Sequence, residues 1–281
     1  MITPTPGPFF TVLLLYFIGM AFIRWYSANN TKNLREFFVM NAKAGAILIG
    51  LSYFATQYSA STFMGVPGTC YRVGYAGLAV SVPGLVFSMI IPALFVGRKL
   101  IFLGKKNNFL TMADYLGDRY DSHIIRVVLA LMMVFFLVPL MGAQAIGAGV
   151  FVNVFTGLPT WVGVVAMGVI VIFYCVTGGI RGVMLTDVVQ GLLMVGTAIV
   201  TFILSVALGG GFEAINTKLA STNAAFLSFP GGGNYMPWQN YVSQIVLWSF
   251  FTIGQPHLFT RFFAMNNSFR HPRNVVLCYP Y

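Results

Sequence analysis

Apolar residues in this chain come in long blocks, not in the alternating or helical stripes that a water-facing domain would need. Seven blocks stand out: Phe9–Ile23 (A), Ala44–Gly65 (B), Gly77–Val96 (C), Val127–Val154 (D), Trp161–Thr177 (E), Val183–Leu208 (F) and Tyr241–Phe259 (G). About 20 apolar residues in a helix cross the roughly 30 Å hydrocarbon core of a bilayer, so each block predicts a transmembrane helix. Block A is short but runs into Arg24, Trp25 and Tyr26, an interfacial anchor. It lacks a basic leader and a small-residue cleavage site, and is expected as a retained span, not a signal peptide. Block D is long enough to tilt. Continuous apolar runs exclude a β-barrel, whose strands alternate.

The basic residues between the blocks give the chain a direction. Arg24, Lys32, Arg35 and Lys43 follow A, and Arg98, Lys99, Lys105, Lys106, Arg119 and Arg126 separate C from D. Arg181 separates E from F, and Arg261, Arg270 and Arg273 follow G. The opposite side holds only Arg72 and Lys218. The positive-inside rule then places the N-terminus outside and the C-terminus in the cytoplasm. One missed or invented span would scramble this split. In the C–D loop, Thr111 and Asp114 form a capping-box pattern that predicts a short interfacial helix over Thr111–Tyr120. The F–G loop predicts an external excursion with a short helix near Phe212–Leu219.

Composition sharpens this picture. Of 281 residues, 58% are hydrophobic and 8% charged, with mean hydropathy +0.81. Soluble domains carry roughly 25% charged residues, so this chain cannot cover a water-facing surface. The net charge of +10 would raise nucleic acid as a partner in a soluble protein. Here it follows from membrane topology, and the partners expected are a lipid bilayer and a small-molecule solute, with no nucleic acid. Cys70, Cys175 and Cys278 are scattered, with neither metal-ligand nor disulfide spacing.

Two blocks are interrupted by residues that cannot sustain a helix. Block B carries Ala55-Thr56-Gln57-Tyr58-Ser59-Ala60-Ser61-Thr62 at mid-depth and runs into Gly65-Val66-Pro67-Gly68. Pro67 clashes with the Phe63 carbonyl, so helical bonding is expected to fail between about Ser59 and Gly68. Block G holds Gly254-Gln255-Pro256-His257. Small hydroxyl residues can serve helix packing alone, and a proline can be a mere kink. Yet polar side chains beside both breaks point to a cavity that binds an ion or a solute. G is the sixth span counting from B and so runs opposite to it. Two broken helices in opposed, corresponding positions are the pointer to an inverted-repeat transporter, with block A outside the repeat.

Inside the blocks only Asp187 and His257 are ionisable. A carboxylate in hydrocarbon is costly unless paired or functional. Asp187, beside Thr186, is either a helix N-cap at the interface or a cation-handling group. Gln190 lies three residues on, near the same face. Gln144, among Gly142, Ala143, Gly147 and Gly149, faces either a cavity or a neighbouring helix.

These residues fall into a familiar order. Gly178-Gly179-Ile180-Arg181-Gly182-Val183-Met184-Leu185-Thr186-Asp187-Val188-Val189-Gln190 resembles the signature of the sodium:solute symporter family. Ser59–Gly68 is similar to that family's first core helix, and Gly254–His257 with Arg261-Phe262 to its sixth. With the Thr111–Tyr120 loop, four motifs lie in family order up to about Asn266. The resemblance implies an all-α integral membrane protein with a leucine-transporter-like fold of five plus five inverted helices, of which the first seven spans are present. It implies Na⁺ as the coupling ion, no organic cofactor, and no enzymatic activity. The carbonyls of Ala55 and Tyr58 would bind Na⁺, and Asp187 would lie on the inner cation path. Thr62, Gln255 and His257 would line the solute cavity, joined by Ser59, Ser61 and Gln144. The Ser-Ala-Ser-Thr-Phe and Val-Pro-Gly run looks closest to the sodium/pantothenate branch, which implies pantothenate or another carboxylate as solute. Gln57 stands where the proline branch carries an aspartate.

The organisation expected is an extra span and loop over residues 1–43, a first five-helix repeat over 44–208, an external loop over 209–240, and the start of a second repeat over 241–281. The family's eighth core helix supplies hydroxyl ligands to the same Na⁺, and the tail from Asn274 to Tyr281 does not match it, so a truncated symporter of the plasma membrane is expected. A seven-span receptor also fits the topology, but block G has no Lys for a retinal Schiff base. A receptor also has no need of two opposed broken helices. No nucleophile, base and orienting group are grouped as an enzyme would require.

Overall fold

The computed structural model describes residues 6–28, 34–40, 43–59, 61–232 and 236–265, and is helical throughout. Among the described residues the only strand-like pairing is an isolated bridge between Ala44 and Met265. In chain order the helices are α1 (Pro6–Ala28), α2 (Leu34–Val39), α3 (Ala46–Gln57), α4 (Val66–Val73), α5 (Ala76–Pro92), α6 (Arg98–Asn107), α7 (Met112–Arg119), α8 (His123–Thr156), α9 (Thr160–Leu208), α10 (Phe212–Thr222), α11 (Trp238–Phe251) and α12 (Pro256–Phe263). Among the described residues four stretches are long and apolar enough to cross a membrane: Pro6–Ser27, Ala76–Gly97, His123–Thr156 and Gly179–Leu208. They correspond to blocks A, C, D and F.

Blocks E and F fall within one continuous helical stretch, α9, but Gly179 inside it has φ 55° and ψ −172°. That left-handed backbone is open to glycine and strained for other residues. A Cβ there would also meet Phe37 Cδ2 at 2.7 Å. The Gly178-Gly179 turn therefore separates two helices, as the sequence pattern implies. Close packing of α8 on α9 rests on small residues: a Cβ on Gly163 would come within 2.8 Å of the Gly149 Cα.

The two loop helices form where expected, and a capping box starts the first of them. Thr111 accepts from the Asp114 N–H while the Asp114 carboxylate accepts from the Thr111 N–H, and α7 starts there. On the F–G side, α10 is anchored by Tyr75, whose hydroxyl donates to Asn216 at 2.6 Å. The Tyr75 N–H also donates to the Phe226 carbonyl at 2.8 Å. α5 runs from this contact to the neighbourhood of Phe262, where a Cβ on Gly97 would touch the ring at 3.1 Å. The basic C–D segment and the F–G loop therefore sit at opposite ends of α5.

A core of enclosed apolar side chains brings α3, α6 and α12 together. Tyr53, Leu100, Phe259 and Phe262 are fully enclosed there, and the Tyr53 and Phe262 rings are 5.8 Å apart. Between helices in lipid, such contacts stabilise through close packing, since the tails are as apolar as the side chains. This core clamps one end of each broken span and leaves their middles facing each other.

Candidate functional site

Block B forms two helices, not one. The i→i−4 ladder of α3 ends with the Tyr58 N–H donating to Phe54 at 3.1 Å. It resumes with Thr62 and Phe63 donating to the Ser59 carbonyl at 3.0 and 3.2 Å, in a π-helical turn over Ser61–Gly65 that leads into α4. The break thus begins at Tyr58, one residue before the expected start, and the expected failure as far as Gly68 is corrected, because helical structure resumes at Ser61. Its expected cause is corrected: Pro67 does not break the helix, because it sits in the first turn of α4, where a missing N–H costs nothing. The polar Gln57–Ser59 stretch lies at the break instead. The last carbonyls of α3, from Ala55 to Tyr58, lie at the helix's C-terminal, partially negative end.

Block G divides in the same way. α11 ends at Phe251, a single 3₁₀ turn covers Thr252–Gly254, and Gln255 has φ −107° and ψ 86°. Pro256 then opens α12 from its first turn. Three levels of contact show that the two spans run in opposite directions. The Ala44 N–H donates to Ala264 at 2.9 Å, Ser52 and Thr56 meet Arg261, and the Gln57–Ser59 stretch shares a cavity with Gln255 and His257. Residue numbers rise along one span as they fall along the other, which is the inverted-repeat arrangement.

The two breaks line one cavity of about 730 Å³. Ser59, Thr62, Gln255 and His257 are on its wall, with Gln144 reaching in from α8. Sequence reasoning missed Thr56, Ser81, Gln244, Trp248 and Phe251 as lining residues. Gln244 and Trp248 are one turn apart and joined through Trp248 Nε1–H to Gln244 at 3.1 Å, a polar–aromatic pair whose spacing was readable. The Ser61 side chain lies outside the described part of the structure. Ala55 is buried against α9, beside Gly191, and does not line the cavity. Among the described residues, the cavity wall carries no Asp, Glu, Lys or Arg.

Asp187 sits one side chain behind that wall. Its Oδ2 accepts from Ser52 at 2.5 Å, from Thr56 at 3.5 Å and from Arg261 Nη2 at 3.0 Å. Arg261 Nε donates to Ser52 at 2.8 Å, and its Nη2 donates to Thr56. Asp187 and Arg261 are both buried, at 7% and 6% exposure. Of the two sequence alternatives, the N-cap is excluded: Asp187 lies eight residues beyond the Gly179 turn, inside the helix. Thr186 is not a cap either, since its hydroxyl donates back to the Gly182 and Val183 carbonyls. Arg261, expected among the cytoplasmic charges, is instead the buried partner of Asp187. A lone intramembrane carboxylate calls for a partner. Arg261, one turn past His257, was the basic residue nearest the break in block G. Gln190 does not join the cluster; its Nε2–H donates to the Tyr16 hydroxyl at 2.6 Å and ties α1 to α9.

The model of the sodium:solute symporter family matches residues 37–278. The chain belongs to the sodium:solute symporter family. Its curated relatives include the sodium/pantothenate symporter of Escherichia coli, 29% identical over 87% of this chain and 50% of its own length. The sodium/pantothenate symporter of Haemophilus influenzae is 28% identical over 95% of this chain and 55% of its own. The sodium/proline symporter of Escherichia coli is 26% identical over 96% of this chain and 54% of its own. Among solved structures, a substrate-bound, outward-open Na⁺-coupled sialic acid symporter superposes with a TM-score of 0.77 at 22% identity, over 96% of this chain and 55% of the other. The chain therefore has the fold of about half of a symporter of this family, and spans about half the length of the curated relatives it matches. It is a multi-pass membrane protein, and its family and relatives are transporters, not enzymes.

Proposed function

We propose that this protein takes part in Na⁺-coupled uptake of a small organic solute, pantothenate or another carboxylate, across the plasma membrane. The observation that carries the reading is the meeting of two oppositely running, broken helices around one cavity whose wall, among the described residues, holds no Asp, Glu, Lys or Arg. Half-helix ends and unwound backbone at membrane depth are suited to replacing the hydration shell of a small cation. The carbonyls of Ala55 and Tyr58 would take Na⁺ as cargo. Ser59, Ser61, Thr62, Gln144, Gln255 and His257 would hold the solute. Asp187 would draw the departing cation inward, loosening its bond to Arg261. Relatives named for pantothenate support a carboxylate solute, and a bound Na⁺ would offset its charge.

The reading carries repeat boundaries with it: residues 1–43 outside the repeats, 44–208 as the first repeat, 209–240 as an external loop and 241–281 opening the second. It also carries an external N-terminus, a reading supported by the basic C–D segment and the F–G loop lying at opposite ends of α5. Cysteines at Asn107 and Ser221 should react with an impermeant reagent from opposite faces. The functional test is uptake of labelled pantothenate into proteoliposomes holding the protein. An inward Na⁺ gradient should drive accumulation that an equal K⁺ gradient does not. Equal uptake with either cation would overturn Na⁺ coupling.

A further inference from the structure

Two buried polar atoms on cavity-lining residues have no hydrogen-bond partner among the described residues: Gln57 Oε1 and His257 Nδ1. One stands at the break in block B and the other at the break in block G. Native structures seldom leave buried polar atoms unsatisfied, and where they do a ligand or water commonly completes them. An amide oxygen can only accept, so the Gln57 Oε1 that stands unpartnered calls for a donor. A hydroxyl, an amide N–H and an ammonium could all serve. The electrostatics separates them. An ammonium buried here would need a carboxylate, and among the described residues the wall holds none. The buried carboxylate behind it, Asp187, already has Arg261, Ser52 and Thr56 on one oxygen. The coupling Na⁺ proposed above would add a positive charge beside the site and repel a second cation.

We infer that Gln57, with His257 facing it across the two breaks, is a specificity-determining residue that admits solutes offering neutral hydroxyl or amide donors and rejects those carrying an ammonium. The inference rests on the Na⁺-coupled reading and deepens it by naming the solute class. A carboxylate elsewhere on the solute is compatible, because the coupling cation offsets it. Glutamate at position 57 would supply the missing negative charge at nearly the same volume and so reverse the preference.

The test is competition for Na⁺-dependent binding to the purified protein in nanodiscs, with ²²Na⁺ binding measured in parallel. The probes are D-pantothenate, which offers hydroxyl and amide donors and no ammonium, and L-proline, whose ring nitrogen is cationic. The wild type should prefer pantothenate by at least about tenfold, a difference of ~1.4 kcal/mol. Gln57→Glu should move the preference toward proline by a similar factor. Gln57→Leu, which introduces no charge, should weaken pantothenate while leaving ²²Na⁺ binding intact, and it decides the matter if Gln57→Glu does not fold. Equal affinity of the wild type for the two probes, a preference unchanged in both variants, or no binding of either probe beside normal ²²Na⁺ binding overturns this inference and leaves cation binding standing. Loss of ²²Na⁺ binding in the wild type itself would instead strike at the coupled reading beneath it.

Discussion

The broken pair α3–α4 and α11–α12 contrasts with α8, which is longer than any of them and equally apolar along most of its length. α8 runs uninterrupted from His123 to Thr156, although Pro139 lies in its interior. In its membrane-crossing window none of the residues is buried, and Leu131 and Phe135 stand 65% and 72% exposed to where lipid would lie. The broken spans instead keep Ser52, Thr252, Ser249 and Arg261 enclosed. A proline is therefore not what opens a helix in this molecule. In lipid an unwound turn has no water to satisfy its backbone, so the chain stays helical even through proline. It unwinds where neighbouring polar groups and a cavity can take up the freed carbonyls and N–H groups. The lesson is that a break is a property of the pair of facing spans, not of a residue.

The largest expected effect comes from the buried pair behind the cavity. Arg261→Leu strands the Asp187 carboxylate with only hydroxyl partners, and should destabilise the protein by about 3–5 kcal/mol. Thermal unfolding of the purified protein in detergent reads this directly. Adding Asp187→Leu to Arg261→Leu should recover much of the loss, since the penalty is an uncompensated charge. A double variant no more stable than Arg261→Leu would show that packing, not charge, holds the broken spans together. Next in size is Gly179→Ala. Its left-handed backbone and the contact with Phe37 should cost about 1–3 kcal/mol.

Much of this architecture was legible in advance, for identifiable reasons. Length and apolarity mark spans because the bilayer imposes them, and Thr111 with Asp114 marks α7 because capping is local. Both broken spans and their opposed directions were legible from Gln-Pro-His in block G, the polar run in the middle of block B and the count of spans between them. What was not legible depended on which residues meet. The break in block B was assigned to Pro67, although that proline begins α4. Arg261 read as a cytoplasmic charge because it follows block G, and only the fold turns it toward Asp187, 74 positions away. Trp248, Phe251 and Ser81 read as ordinary span residues until the cavity gathered them.

Smaller effects sharpen the comparison. Asp187→Asn keeps the side-chain shape but removes the charge. If Asp187 guides the cation, half-saturating Na⁺ for uptake should rise about tenfold, or ~1.4 kcal/mol. Initial rates against Na⁺ concentration at equal expression check it, and superimposable curves would leave Asp187 as the structural partner of Arg261 alone. The smallest effect is expected in α8. Pro139→Ala should change stability by no more than about 0.5 kcal/mol, because Pro139 is exposed and α8 stays helical through it. A large change there would mean that Pro139 shapes the core.

The central claim is that the two breaks form one Na⁺-sensitive site. Val66 and Phe251 line the cavity beside the respective breaks without belonging to the proposed cation ligands. Single cysteines at Val66 and Phe251, in a background with Cys70, Cys175 and Cys278 replaced by serine, can be followed with a hydrophilic maleimide. The account predicts that both react and that Na⁺, but not K⁺ at the same ionic strength, changes both rates together. Rates indifferent to Na⁺, or a response at one break without the other, would contradict it.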